Sequence, residues 1–407
     1  MEIFAGTHLS YCTNIHPGEN WADTFEALKR SVPAIKKNIS PEKKFGIGLR
    51  LSAKAAYELL KGENLTEFKN WLQKENLYVF TMNGFPYGGF HFRRVKDNVH
   101  KPDWTTKDRV NYTLALFNIL KDLLPPATEG GISTSPVAYK PWFVNEGEIH
   151  NVKRKAAVHL AEIALFLNAT QKKEGKYMHL DLEPEPDGLL ENTGDVIDFF
   201  NNYIFTFGAE YLSDSLQITQ KDAITILQEH LTICYDICHF ALAWEEPFQV
   251  IEKLAQHNIR IGKLQISAAL EARFGDKNQS AGIIEELKPF AESTYLHQVA
   301  VACKGQHIIS YHDLDEAMEN MKDPEGTTWR IHYHVPVFAE SCRSLFTTRS
   351  EILKVLELLK ETRFTKHLEV ETYTWEVLPE DLKMNLEASI ERELKFVTES
   401  LKVLKAR

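Results

Sequence analysis

Carboxylates and imidazoles recur at alternate positions near the ends of short apolar runs, where apolar residues would be expected. In YMHLDLEPEPDG, His179, Asp181 and Glu183 share one face while Leu180 and Leu182 share the other, and Glu185 follows between two prolines. LTICYDICHFA ends a run on Asp236 and places His239 three residues later. RIGKLQISAA puts Lys263, Gln265 and Ser267 on one face, WRIHYHVPVF does the same for Arg330, His332 and His334, and HLEVETYTW for Glu369 and Glu371. Side chains alternate across a strand, so each set would point to one side of a sheet. Gathering several carboxylates in a low-dielectric interior is unfavourable unless a cation or protons compensate. Glu183, Asp236 and Glu371 together with an imidazole or amide would form an oxygen- and nitrogen-rich cage. Such a cage suits Mn²⁺, Mg²⁺, Co²⁺ or Zn²⁺ and leaves positions open for the vicinal oxygens of a substrate. A single inward carboxylate is equally well explained by an ion pair with Lys263, Arg330 or Arg50. Cys234 and Cys238 flank Asp236 and read as small buried hydrophobes rather than ligands of a closed zinc site.

The elements that would carry these residues alternate along the chain. Strand-like runs occur at 2–9, 45–51, 77–83, 131–138, 177–183, 231–237, 261–267, 329–335 and 367–373. Segments with helical spacing separate most of them, ending with an amphipathic segment at about 387–405. Strand–helix–strand alternation predicts a parallel sheet. With no GxGxxG opening, a (β/α)8 TIM barrel is favoured over a doubly wound sheet. No Pro/Gly/Ser-rich linker divides the chain, so residues 1–407 are expected to form one barrel domain with a long insertion at about 268–328 and other long βα loops. In TMNGFPYGGFHF (81–92), Asn83, Phe85, Tyr87 and His91 would line an aromatic mouth loop able to close over a ligand, or would pack on the barrel rim. HLSYCTNIHPGENW carries His8, Asn14 and His16 in a comparable place, with His8 read as structural. Tyr373 and Trp375 would stack on a sugar face or pack under a helix.

The chain has 407 residues with 43% hydrophobic and 26% charged residues, an ordinary globular composition that excludes disorder and collagen-like repeats. Its net charge of −10 and pI near 5.9 argue against a nucleic-acid-coating surface. No apolar run approaches the roughly 20 residues that span a bilayer, and the N-terminus has neither the basic nor the long apolar region of a signal peptide. Five scattered cysteines without a CxxC pair fit reduced thiols. A cytoplasmic protein is expected.

The order of Glu183, then Asp236-x-x-His239, then a polar seventh-strand residue, then Glu371 resembles the xylose isomerase-like TIM-barrel superfamily of sugar isomerases, epimerases and endonuclease IV-type nucleases. More narrowly, HLSYCTNIHPGENW, FTMNGFPYGGFH, HLDLEPEP, YDICHFA, HVPVF and LEVETYTW resemble the EboE family of metabolite traffic proteins. The broad resemblance implies a divalent metal held by two glutamates, one aspartate and usually one histidine. On this chain these are Glu183, Asp236 and Glu371, with His239 near the substrate. The family's seventh-strand histidine is replaced by Gln265, so Gln265 and His334 are rivals for the fourth ligand. Nine strand candidates for eight barrel places leave one strand outside. The resemblance implies an isomerase or epimerase of a small hydroxycarbonyl metabolite, with Glu183, Glu371, His239 and Lys263 catalytic. Asn83, Phe85, Tyr87, His91, Glu185, His332 and Trp375 would contact substrate, and Glu185 or His334 could support a second ion. The narrow resemblance implies operon-encoded partner proteins and an indirect part in moving a precursor metabolite. A non-catalytic metabolite carrier on the same barrel is the alternative reading. An endonuclease IV-like phosphoesterase fits less well, given the negative charge and the lack of early-strand histidines. Oligomeric state is not readable from the sequence.

Overall fold

The computed structural model describes the chain except for residues 90–94, 276, 304–306, 322–323, 373, 375–382, 384 and 403–407, and the side chains of residues 277 and 278. Eight strands run parallel in sequence order around a barrel: β2 (Thr7–Tyr11), β3 (Phe45–Arg50), β4 (Leu77–Asn83), β5 (Gly130–Thr134), β6 (Met178–Leu182), β7 (Leu231–Asp236), β8 (Ile261–Ile266) and β15 (His367–Val370). A parallel bridge between Cys12 and Gly48 joins β2 to β3 and closes the ring. β1 (Glu2–Phe4) adds an antiparallel hairpin to β2, so the expected single run at 2–9 is two strands.

The helices between the strands start where the sequence supplies caps. Asn20, Thr106, Asn145, Asn192 and Thr219 each accept a hydrogen bond from a first-turn N–H, which satisfies one otherwise orphaned donor. Leu386–Lys402 is the closing helix and packs on Trp21–Ile39. Leu9, Ile47, Val79, Ile132, Leu180, Ile233, Leu264 and Leu368 on the strands are buried under this helical layer. Residues on the opposite strand face, among them His179, Asp181, Thr232, Lys263 and Glu369, are fully buried as well. The interior of this barrel is therefore strongly polar, unlike the branched apolar filling common to such barrels.

The ninth strand candidate lies outside the barrel. A second sheet is built from β9 (Ala268–Arg273), β10 (Val299–Ala302), β11 (Ile308–Tyr311), β12 (Thr328–Val335), β13 (Ser341–Cys342) and β14 (Leu345–Thr347), in the order β11-β10-β12-β9-β14-β13. It follows β8 with only Ser267 between, and it reaches Thr347, beyond the expected end of the insertion near residue 328. β12, which carries His332 and His334, pairs antiparallel with β9. The run at 329–335 is thus a true strand whose partners are in the inserted sheet.

Candidate metal centre

The parallel register brings four strand ends to one level. Gln265 on β8 is paired with Asp236 on β7 and with Glu369 on β15. One residue past their strands, the Glu183 N–H donates to the Thr134 carbonyl (2.9 Å) and the Glu371 N–H to the Ile266 carbonyl (3.0 Å), which continues the ladders and fixes both side chains at the C-terminal mouth. Carboxylate oxygens of Glu183, Asp236 and Glu371 lie within 4.8 Å of one another. Their residues are 3%, 0% and 4% exposed, so water does not screen them.

The neighbours of these groups differ in ways that matter chemically. Glu371 is held on both oxygens. Asn14 donates to Oε1 at 2.6 Å and Asn83 to the same atom at 3.2 Å, while the Gln265 amide donates to Oε2. Asp236 receives the Ser267 hydroxyl at 2.5 Å and the His239 N–H at 3.2 Å on Oδ1, the latter because Asp236 caps the short helix Ile237–Leu242. Asp236 Oδ2 and Glu183 Oε2 are buried without a hydrogen-bond partner. Acceptors this deeply placed are costly to leave unmatched. Burial, followed by the charges of Glu371 and Asp236, pushes the Glu183 carboxyl well above its ordinary range, and burial with Asp236 pushes Glu371 up to about 8. Without a cation these groups hold protons near neutrality; a divalent ion answers both the charge and the unmatched oxygens. The donor set therefore fits such an ion.

A second cluster adjoins the first. Nδ1 of His239 lies 2.9 Å from the Pro184 carbonyl, and Nδ1 of His332 lies 2.8 Å from Oε1 of Gln298, whose amide nitrogen donates to the Pro186 carbonyl at 3.2 Å. Each Nδ1 therefore carries the proton, and two Nε2 lone pairs face each other at 3.1 Å. Burial holds both imidazoles well below their ordinary pKa, so neither readily takes a proton to relieve that contact. Glu185 offers a carboxylate oxygen within 4.8 Å of these nitrogens, and His334 offers a nitrogen equally near Asp236 and His239. Burial, then the charge of Asp236, also raises the Glu185 carboxyl. Anchoring one ring nitrogen on a carbonyl while freeing the other is the habit of metal-ligating histidines.

No protein-family model and no curated protein sequence matches the chain. Solved structures do. A xylose isomerase-like TIM-barrel protein from Mycobacterium smegmatis in complex with magnesium aligns over 98% of each chain with 10% identity and a TM-score of 0.50. The fold is that of the xylose isomerase-like TIM barrels. A xylose isomerase domain protein from Planctomyces limnophilus aligns at 10% identity over 98% of this chain and 96% of its own, with a TM-score of 0.48. An IolI protein with a bound zinc atom aligns at 12% over 98% and 100%, with 0.46. At such identities the likeness concerns the fold, and the site rests on its own geometry.

Of the residues singled out in the sequence, Glu183, Glu185, Asp236, His239, Gln265, His332, His334 and Glu371 come together at the mouth. Asn83 and Phe85 line the same cavity, and Asn83 Oδ1 accepts the Phe85 N–H at 3.0 Å, which turns the loop inward. Lys263 needs correcting. It lies one layer down in the barrel, ion-paired with Glu369 and donating to Ser133 at 3.3 Å, and does not line the mouth cavity. Tyr87 turns away as well, packing edge-on against Tyr112 with ring centres 5.1 Å apart. His91 and Trp375 lie outside the described residues, as does Tyr373. His8 is structural, held to the Tyr78 hydroxyl at 2.8 Å. Two of the cavity residues that were not anticipated bear on the candidate ligands. His100 places Nε2 3.1 Å from Glu185 Oε1, and Gln298 orients His332. Both lie in segments without periodic pattern, and nothing local in the sequence marks either.

Proposed function

We propose that the chain is a divalent-metal-dependent isomerase or epimerase of a small, sugar-like hydroxycarbonyl metabolite. The observation that carries this reading is the convergence of the Glu183, Asp236 and Glu371 carboxylates at the barrel mouth, with buried oxygens on Glu183 and Asp236 that no group among the described residues satisfies. These three would hold the ion, which is Mn²⁺, Mg²⁺, Co²⁺ or Zn²⁺. His334, with a ring nitrogen within 4.8 Å of ligand atoms on Asp236 and His239, is favoured as the fourth ligand over Gln265, whose carbonyl oxygen, the atom that would ligate, accepts from Cys234 Sγ at 3.7 Å. Glu185, His239 and His332 would hold a second ion. A bound divalent ion supplies Lewis-acid polarisation of adjacent hydroxyl and carbonyl oxygens.

The remaining work falls to the protein. Both Glu371 oxygens are fixed by Asn14, Asn83 and Gln265, so this carboxylate positions rather than moves a proton. Glu183, which lines the cavity, would give Oε2 to the ion and use its other carboxylate oxygen to take the substrate α-proton and return it to the neighbouring carbon. Phe85, Pro86 and Tyr295 wall the cavity with apolar surface, which strengthens the electrostatic interactions made by a bound substrate.

The resemblance to the EboE family supports reading this chemistry as part of metabolite traffic, with operon-encoded partners. Five free cysteines suit a reducing, cytoplasmic setting. Among the described residues no helix is long and apolar enough to cross a membrane. The test is elemental analysis of protein purified without added metal, alongside Glu183→Gln and Glu371→Gln, followed by a screen for solvent-deuterium exchange into hydroxycarbonyl substrates. At least one ion per chain that both variants lose, with exchange into one substrate, supports the reading. No metal after soaking in Mn²⁺ and Zn²⁺ refutes it. Gln265, which braces Glu371 where the superfamily supplies a histidine, favours a second reading as a metabolite carrier: metal and ligand bound, no exchange.

A further inference from the structure

The base of the barrel holds another set of ligand-type side chains, at the opposite end from the mouth. His179 on β6 and His367 on β15 face inward and are fully buried. Glu129 immediately precedes β5, and its side chain is 13% exposed at the N-terminal rim. A ring nitrogen of each histidine and a carboxylate oxygen of Glu129 lie within 4.8 Å of one another. Each imidazole is anchored through one ring nitrogen. Nδ1 of His179 is 2.6 Å from Asp181 Oδ1, and Nε2 of His367 is 3.1 Å from the Glu129 carbonyl. Those contacts take the ring protons and leave lone pairs on His179 Nε2 and His367 Nδ1, neither of which has a hydrogen-bond partner among the described residues.

Charge points the same way. Asp181 is fully buried and held by His179 and the Thr232 hydroxyl, and its Oδ2 is also unmatched. The buried lysine of the interior, Lys263, is committed to Glu369. An isolated carboxylate in such surroundings is expensive. Space has been kept for this group: a Cβ built at Gly131 or at Gly262 would come within 3.0 Å of His179 and Asp181.

We propose that the barrel base is a second, independent metal site that binds an imidazole-preferring divalent ion, Zn²⁺, through His179, His367 and Glu129. Asp181 backs His179 as the carboxylate of a carboxylate–histidine–zinc arrangement and supplies the compensating negative charge. Two imidazoles and a carboxylate are a sufficient set for zinc with one position left open. Binding draws Glu129 Oε2 from the half-exposed Lys366 ammonium, now 2.8 Å away, and ties the start of β5 to β6 and β15.

The experiment uses untagged full-length protein in which both mouth clusters are disabled by Glu183→Gln, Glu371→Gln and His332→Gln. After stripping and titration with Zn²⁺ alone, this variant is expected to retain one tight ion per chain and to melt at a higher temperature with zinc. Adding His179→Gln or Glu129→Gln is expected to weaken that binding at least about tenfold, as loss of one of three protein ligands should. A folded triple variant that binds no zinc, or binds it undiminished after His179→Gln and Glu129→Gln, overturns the proposal. Should the triple variant not fold, anomalous scattering from zinc-soaked wild-type crystals decides. A peak between His179 and His367 supports the site, and its absence while the mouth is occupied overturns it.

Discussion

Replacing the two mouth glutamates by glutamine gives the sharpest test of the electrostatics, because glutamine is neutral at every pH. Glu371 has its carboxyl raised from 4.5 to about 8, and Glu183 is raised well above 4.5. In the unfolded chain both are ionised at pH 7, whereas the metal-free folded protein keeps them protonated. The folded state therefore binds more protons than the unfolded one, and stability falls as pH rises through the folded pKa. Between pH 7 and pH 8 Glu371 contributes a loss of about 1 kcal/mol, and Glu183, raised for the same reason, acts in the same direction. Other groups titrate differently. The buried N-terminal amine of Met1, lowered to about 4, pushes stability the opposite way over the same interval, and His239, His332 and His334, all lowered, act below pH 6.5. These contributions cancel in a comparison of wild type with the Glu183→Gln/Glu371→Gln variant. Urea unfolding of both proteins in chelator at pH 7 and pH 8 should show wild type losing at least about 1 kcal/mol relative to the variant. Saturating Mn²⁺ should abolish that relative loss, since the ion replaces the protons. Stability curves that stay parallel between the two pH values would refute the reasoning.

Three further outcomes are expected. Lys263→Met leaves Glu369 as an unpaired charge inside the barrel and should destabilise by about 3–5 kcal/mol, with Lys263→Met/Glu369→Leu recovering most of it; calorimetry measures both, and equal damage in the two would show that the lysine acts elsewhere. Gln298→Leu removes the anchor of His332 without touching a carboxylate, so affinity for the second mouth ion should drop about 10–100-fold while the first is kept. Isothermal titration separates the two sites, and unchanged binding at both would break the tautomer assignment. Ser267→Ala deprives Asp236 Oδ1 of its shortest donor and should lower affinity for the first ion by a similar factor, read from competition with a fluorescent chelator.

Much of this protein is legible in its sequence because local rules suffice for it. Alternation of period two put His179, Asp181 and Glu183 on one face of β6 and Glu369 and Glu371 on one face of β15, and the strand–helix rhythm was enough for a parallel barrel. Once the strands are parallel and in order, their ends share a level, so Glu183, Asp236 and Glu371 meet without any further information. What only the tertiary structure decided involves depth and long-range placement. Lys263 and Gln265 lie on the same face two residues apart, yet one faces Glu369 in the interior and the other braces Glu371 at the mouth, a difference of one layer that periodicity does not encode. His332 reaches the mouth from a strand whose partners lie in the inserted sheet, and it meets His239 across 93 residues of chain. His100 and Gln298 arrive from irregular segments. Loop paths are set by packing against surfaces distant in sequence, so the chemistry they bring to a site appears only when those surfaces have been assembled.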